Sequence, residues 1–423
     1  IFTTVFIDLL GFGILIPVFP LLITDGPFRV TPDGWSFTQG MIMLGWLQAI
    51  YPFCMFIAAP ILGQLSDRHG RRPVLALSIF GTAIGYVLFA IGISTGNLPL
   101  LFAARGLDGM TGGNLAVAQA AIGDISTHEN RAKNFGYMGA AFGMGFIVGP
   151  YLGGKLSSPS VSFYGLFDTP HWFGATTPFW FAAILALLNC TAVLTTFPET
   201  IKEKFHGGKI RVGQSLNNVV NGFMSDRLRV ILLSSFMFSA GFTFFTTFFG
   251  VYLRNKFSFS SSKIGDYFAI VGLCIALSQG LVVGRVAKKL VDFKVLKFSM
   301  FGTGAMMLIY FLTPTTSSMY LYMVIPFFAI FNGLCMANTS SLISRSAEMG
   351  KQGEAMGIYS SVSSLSQVPA AVLVGYITTS ITSSQPLIVA SVCIGIAGLS
   401  FVLLFKPKYV SGVVGAADGM PVH

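Results

Sequence analysis

Apolar residues collect in runs long enough to cross a lipid bilayer, and short polar segments separate these runs along the whole chain. They fall near 1–23, 39–62, 73–94, 98–122, 134–156, 175–197, 228–252, 264–284, 296–313, 318–343, 354–378 and 386–405. A helix needs about 20 mainly apolar residues to cross a hydrocarbon core roughly 30 Å thick. Backbone groups in lipid must be hydrogen-bonded within their own segment, so the runs predict helices; a barrel would show short alternating strands. The 48 glycines and 19 prolines would break many soluble helices but are tolerated in membrane ones, where small residues let helices approach closely.

The longest hydrophilic stretch between runs, 198–227, divides them into two sets of six. The predicted fold class is therefore all-α integral membrane, with twelve transmembrane helices in two six-helix pseudo-symmetric bundles at 1–197 and 228–405. A cytoplasmic linker at 198–227 joins them, and 406–423 is a cytoplasmic tail. A basic linker between six-helix halves is the arrangement of transporters built from parallel repeats. A faint internal echo agrees: Gly63 to Arg72 is answered by Gly284-Arg-Val-Ala-Lys-Lys289, a glycine followed by cations that lacks the acid. Trp35 and Trp172, in the loops 24–38 and 157–174, suit interfacial anchors.

Composition and charge sharpen this picture. Hydrophobic residues make up 53% and charged residues 10% of the 423, against roughly a quarter charged in a soluble domain. The solvent that leaves charge unrewarded is lipid. The net charge of +10 would suit nucleic acid were it not for its placement. Alternating sides along twelve spans puts twenty of the 26 basic residues on one side and five on the other, with Arg105 inside a span. That asymmetry is a topology signal that places both termini in the cytoplasm, in an inner or plasma membrane. The five cysteines all lie within spans, without pairing or metal-ligand spacing, and read as small packing residues. The first run holds Asp8 and is too long for a cleavable leader; it begins at the edge of a span, so a short preceding N-terminus is expected.

The segment joining the second and third runs reads Gly63-x-Leu65-x-Asp67-Arg68-x-Gly70-Arg71-Arg72. Gly63 and Gly70 permit tight geometry and close helix approach. Asp67 is placed to receive positive charge or to sit at a neighbouring helix N-terminus. Arg71 is placed to bridge to Asp124 at the inner end of another span, as a latch between the two halves. A solvated loop that merely sets topology explains the cations but not the Asp between glycines. This loop resembles the signature of the major facilitator superfamily, and the resemblance implies a cytoplasmic gate built from Gly63, Asp67, Arg68, Gly70, Arg71, Arg72, Asp124 and Arg131, working by alternating access.

Other motifs narrow the resemblance. The fifth run carries Gly136, Gly145, Gly149-Pro150 and Gly153-Gly154, a flat face of small residues bent at a proline. That spacing resembles the antiporter motif of proton-coupled exporters in the superfamily. In the fourth run Arg105, Asp108, Gly109, Gly112, Ala116 and Gln119 share one helical stripe. Arg105 resembles the family arginine implicated in proton coupling; Asp108 stands where many relatives carry Gln, and either titrates or neutralises Arg105. Asp8, in Asp8-Leu-Leu-Gly-Phe-Gly-Ile-Leu-Ile-Pro17, is costly to ionise within a span. Its surroundings, with Phe197-Pro-Glu-Thr200 and the loop around Asp124 and Arg131, resemble tetracycline-type drug–proton antiporters. Asp8 reads either as a proton carrier or as an acid held neutral or paired with Arg105.

Gln48, Tyr51, Asn114, Asn189, Gln279, Asn332, Asn338 and Gln367 lie at mid-span, where they either line a substrate cavity or act as interhelical glue. The five histidines lie in loops or at the tail, no nucleophile–base pair or metal spacing is present, and neither catalytic residues nor a metal site is expected. No Gly-x4-Gly-Lys-Ser/Thr occurs, so an ion gradient rather than ATP is the expected energy source; the resemblance implies that the ion is the proton, with no cofactor. The reading is a monomeric proton-coupled antiporter in a lipid bilayer that exports an amphipathic or lipophilic small molecule, with no nucleic-acid partner. An importer or exporter of a specific metabolite or siderophore on the same fold is the alternative.

Overall fold

The structure, a computed structural model, describes residues 1–23, 26–126, 131–163, 167–201, 213–287, 292–346, 352–377 and 385–406. The tail and much of the 198–227 linker therefore lie outside the described residues. The first part of the chain forms α1 (Phe2–Ile23), α2 (Phe37–His69), α3 (Arg71–Thr95), α4 (Leu98–Thr111), α5 (Asn114–Ile125), α6 (Arg131–Leu156) and α7 (Thr177–Thr196). A two-residue hairpin, β1 (Ser162–Phe163) against β2 (Phe167–Asp168), sits between α6 and α7. The second part forms α8 (Gln214–Met224), α9 (Arg229–Phe257), α10 (Ser261–Ser278), a π-helical turn at Gln279–Val283, α11 (Gly284–Ala287), α12 (Asp292–Leu312), α13 (Met319–Ser346), α14 (Gln352–Ile377) and α15 (Gln385–Leu404).

Among the described residues, ten helices are long and apolar enough to cross a membrane. The other two predicted runs correspond to α6 and to the α4–α5 pair. The fourth run is not one continuous helix: it breaks at Gly112-Gly113. The predicted stripe through residues 105–119 therefore ends at Gly112. On α5 the buried positions are Asn114, Val117, Ala118, Ala121 and Ile122, while Gln119 is exposed.

Local sequence explains where several helices begin and end. Ser36 and Gln39 cap α2 reciprocally, the side chain of each bonding the other's backbone N–H. Gly96 closes α3 in the left-handed conformation, and Asn97 Oδ1 then accepts the Leu100 N–H to open α4.

The chain forms two compact units. One comprises Ile1–Val212 with Thr246–Ala276 and Ala371–Ser383; the other comprises Gly213–Phe245, Leu277–Ala370 and Ser384–His423. In the first, α6 is packed through glycine on two faces. A Cβ at Gly145, Gly149 or Gly153 would lie 2.5 Å from Leu9 Cβ, 2.7 Å from Leu10 O or 2.4 Å from Ile14 O, so this face rests directly on the backbone of α1. A Cβ at Gly154 would lie 2.5 Å from Ser261 O, and one at Gly265 would lie 2.5 Å from Pro150 O; this face rests on α10. At the end of that contact Lys155, 8% exposed, reaches Asp266 Oδ2 and Ser262 Oγ, each at 2.9 Å. In the second unit, Phe245 packs against Tyr310 and Phe328 with ring centroids 5.9 and 5.1 Å away, joining α9, α12 and α13.

The loop glycine Gly63 departs from its predicted role. It lies inside α2, which runs on to His69, and a Cβ there would meet nothing within 4 Å. Close approach is thus demanded at Gly153 and not at Gly63. Gly153→Ala should lower the thermal unfolding midpoint in detergent, at a cost of about 1–3 kcal/mol for overpacking. Gly63→Ala, which removes a flexible residue from a helix interior, should leave the midpoint unchanged or raise it.

Candidate functional site

Two polar clusters stand out in the first unit, one at the α2–α3 turn and one embedded among α1, α2, α4 and α5. The turn consists of Gly70 alone, with φ 108° and ψ 153°, a backbone that favours glycine. Arg71, the first residue of α3, is 7% exposed. Its guanidinium meets Asp67 Oδ1 at 2.6 Å, Asp124 Oδ2 at 3.0 Å and Ser66 Oγ at 2.6 Å. The Arg71–Asp124 bridge read from the sequence is therefore present. Each of these bonds joins elements of the same unit, however, so the cluster braces α2, α3 and α5 from within rather than latching two halves. Arg68 stands with His69 in the last turn of α2, where cations complement the helix dipole. The Arg131 side chain lies outside the described residues, as does the environment of Gly136.

The acid at the helix N-terminus is Glu199, not Asp67. Its Oε1 accepts the Arg71 N–H at 2.8 Å and its Oε2 the Arg72 N–H at 3.3 Å. The Thr200 and Ile201 amides donate to Oε1 at 3.0 and 3.2 Å. A Cβ on Gly70 would lie 2.3 Å from Glu199 Oε2, a second reason for glycine here. Thr200 Oγ1 closes the ring to Asp124 Oδ2 at 3.0 Å, and Arg72 also bonds the Leu194 carbonyl. The one signal in the sequence was Pro198-Glu199-Thr200 at the end of the sixth run. Partial burial pushes the Glu199 carboxyl up, but the four backbone donors outweigh it and hold the group below the usual glutamate range.

The embedded cluster is organised around Arg105, which is 2% exposed. Its Nη1 pairs with Asp108 Oδ2 at 2.8 Å, one turn along α4. Its Nη2 donates to Gln48 Oε1 at 3.4 Å, and its guanidinium lies over the Tyr51 ring, 4.6 Å from the centroid. The α2–α4 approach that allows this is tight: a Cβ at Gly109 would lie 2.4 Å from Tyr51 O, and one at Gly112 would lie 2.7 Å from Tyr51 Oη. Phe12 of α1 packs against Tyr51 and against Phe146 of α6, at 5.9 and 6.1 Å. Arg105 is thus paired with Asp108 and not with Asp8. Asp8, part-exposed on α1, accepts from Asn114 Nδ2 at 2.6 Å.

The polar mid-span residues are accordingly redistributed. Gln48 and Tyr51 hold Arg105, Asn114 holds Asp8, and Asn189 Oδ1 accepts from Thr4 at 3.3 Å. In the second unit Asn338 and Gln367 donate to carbonyls of their own helices, Leu334 O at 2.7 Å and Ser363 O at 3.3 Å. Asn332 is buried with Nδ2 3.9 Å from Met336 Sδ and Oδ1 unpartnered. Gln279 is exposed at the π-helical turn. Within the first unit the structure therefore brings Gln48, Tyr51 and Asn114 to the proton-coupling candidates. Among the described residues, no group of three or more His, Cys, Asp or Glu is placed to hold a metal.

Membrane-length helices with a buried ion pair and a separate carboxyl among them define a polytopic integral membrane protein. The family model described as Major Facilitator Superfamily matches residues 1–371, and the chain belongs to that family. It is 31% identical over 284 residues to the class H tetracycline resistance protein of Pasteurella multocida, covering 67% of this chain and 65% of that protein. The match thus spans just under two thirds of that relative's length. The class C tetracycline resistance protein of Escherichia coli is 29% identical, over 88% of this chain and 87% of its own. Among solved structures, the human organic anion transporter MFSD10 superposes with a TM-score of 0.70 at 20% identity, covering 95% of this chain and 97% of that one.

Glu199 generates a pH prediction. A carboxyl held below its ordinary range stabilises the fold fully above the ordinary glutamate pKa, about 4.3, and loses that contribution as pH falls through the folded value. Acidifying from about pH 5 to about pH 3, through the window below the ordinary glutamate pKa, should lower the thermal midpoint of the protein more steeply than that of Glu199→Gln, which cannot ionise. Two parallel curves would show that the four backbone bonds do not depend on the charge.

Proposed function

We propose that the chain is a proton-coupled antiporter that exports an amphipathic or lipophilic small molecule. In this reading the bundles 1–197 and 228–405 rock about a central cavity, and protonation of Asp8 biases the exchange. The observation that carries the reading is the asymmetry of charge in the embedded cluster. Arg105 and Asp108 neutralise each other, whereas the hydrogen bond to Asp8 comes from a neutral amide. An ionised Asp8 is then an uncompensated charge inside a span, and taking up a proton removes it. Arg105 and Asp108 act as electrostatic partners.

The substrate class is supported by the relatives, which are named for tetracycline resistance and, in Bacillus subtilis, for multidrug resistance. The glycine face of α6 on α1 and α10 supports exchange rather than symport, because its spacing resembles that of the antiporters. The distribution of basic residues, twenty on the side of both termini and five opposite, supports cytoplasmic termini. The functional unit is a monomer, and the proton gradient serves in place of a cofactor.

Tetracycline is the probe for the test. In inverted membrane vesicles acidified inside, the protein should accumulate it, and Asp8→Asn should reduce gradient-driven accumulation to the level of vesicles without the protein while leaving counterflow intact. Gradient-driven transport surviving in Asp8→Asn would remove Asp8 from coupling. Substrate moving in the same direction as the proton would favour the importer instead.

A further inference from the structure

We propose that Asn114 is the positioning residue for the Asp8 carboxyl in both its protonation states, its amide turning over between donor and acceptor as the proton arrives and leaves. The proposal rests on the proton-carrying role given to Asp8 above.

The framework around Asn114 is fixed. It is 2% exposed and is the first residue of α5, directly after the Gly112-Gly113 break. Gly113 pins this start to α2, since a Cβ there would lie 2.8 Å from Ala59 Cα. Asn114, Ala118 and Ile122 follow at i, i+4 and i+8, and the last two pack with Val5 of α1 in one buried cluster with Met138 and Ala141. The backbone of Asn114 is therefore held opposite Asp8, and the freedom left to the amide is rotation about its terminal bond.

That rotation suits the chemistry of a carboxyl that gains and loses a proton. An ionised carboxylate only accepts, and it takes the Asn114 N–H at 2.6 Å. A protonated carboxyl carries an O–H that needs an acceptor, and a half-turn of the amide presents Asn114 Oδ1 to it. One N–H···O bond is exchanged for one O–H···O bond, the proton stays on Asp8, and the amide gives up none of its own. A cation at position 114 would hold Asp8 ionised and oppose proton uptake, and an apolar side chain would serve neither state.

Among the described residues, the hydrogen bond to the Asp8 carboxyl comes from Asn114. Tyr51 on α2 presents its ring face to Arg105. Tyr86 on α3 packs against Gly11. On α4, Arg105 is paired with Asp108. Asn189 on α7 is engaged with Thr4, and α6 faces α1 through glycines.

The test is infrared difference spectroscopy of the full chain in lipid, between acid and alkaline buffer, with the Asp8 carboxylic C=O band identified by its loss in Asp8→Asn. In Asn114→Leu the band should move to higher wavenumber as the O–H loses its acceptor, and the accompanying asparagine amide difference should vanish. Asn114→Ala makes the same comparison if Asn114→Leu does not reconstitute. Asn114→Thr, whose hydroxyl both donates and accepts, should return the band toward its original position. A band unmoved in both Asn114→Leu and Asn114→Ala overturns the inference and leaves Asp8 as the proton carrier. Absence of any band lost in Asp8→Asn overturns both.

Discussion

Hydrocarbon offers a charged group no solvation, and that constraint orders the interior of the first unit. Arg105 answers it with three partners: Asp108 supplies the counter-charge, Gln48 a neutral acceptor and Tyr51 an aromatic face. These partners come from two helices, so meeting the needs of one cation also fixes how α2 crosses α4. The glycines at 109 and 112 are the geometric condition for that crossing, because any side chain there would push Tyr51 away. Asp8 answers the same constraint differently. It is bonded to an amide rather than to a cation.

Backbone contact is the second organising feature. α6 lies against α1 on one glycine face and against α10 on another. In lipid, where helices gain little from burying apolar surface against one another, such close van der Waals contact is a main source of association. The glycine face that bears on α1 meets Leu9 to Ile14, the turns that follow Asp8, so the helix carrying the free carboxyl is positioned by the part of α6 with the least tolerance for side chains. The Lys155–Asp266 pair adds a directional bond at the end of the α6–α10 contact.

At the α2–α3 turn, charge and helix geometry do one job together. Glu199 gathers the first amides of α3, where the helix dipole already favours an anion. Arg71 gathers the acids at the ends of α2 and α5. Polar residues far apart in the chain thus help set the mutual positions of α2, α3, α5 and the segment after α7.

The sequence by itself determined the membrane-spanning helical class and the family loop, since each follows from composition, run length or a local charge pattern; it also placed Arg71 and Asp124 at the inner ends of two spans, and the structure joins them. It showed the fourth-run acid and base on one helical face, one turn apart, where pairing needs no tertiary information. Tertiary structure decided the rest. Glu199 serves as the anion at α3, Asn114 bonds Asp8, Gly63 has open space about it, and Lys155 finds Asp266. Each of these depends on which faces of distant helices meet, and a chain in which nearly every span is apolar on all sides carries little periodicity to say which face that is. The break at Gly112-Gly113 was hidden for the same reason: two glycines inside an apolar run are compatible with a continuous span, and the contacts of α5 with α1 and α2 decide that it starts anew.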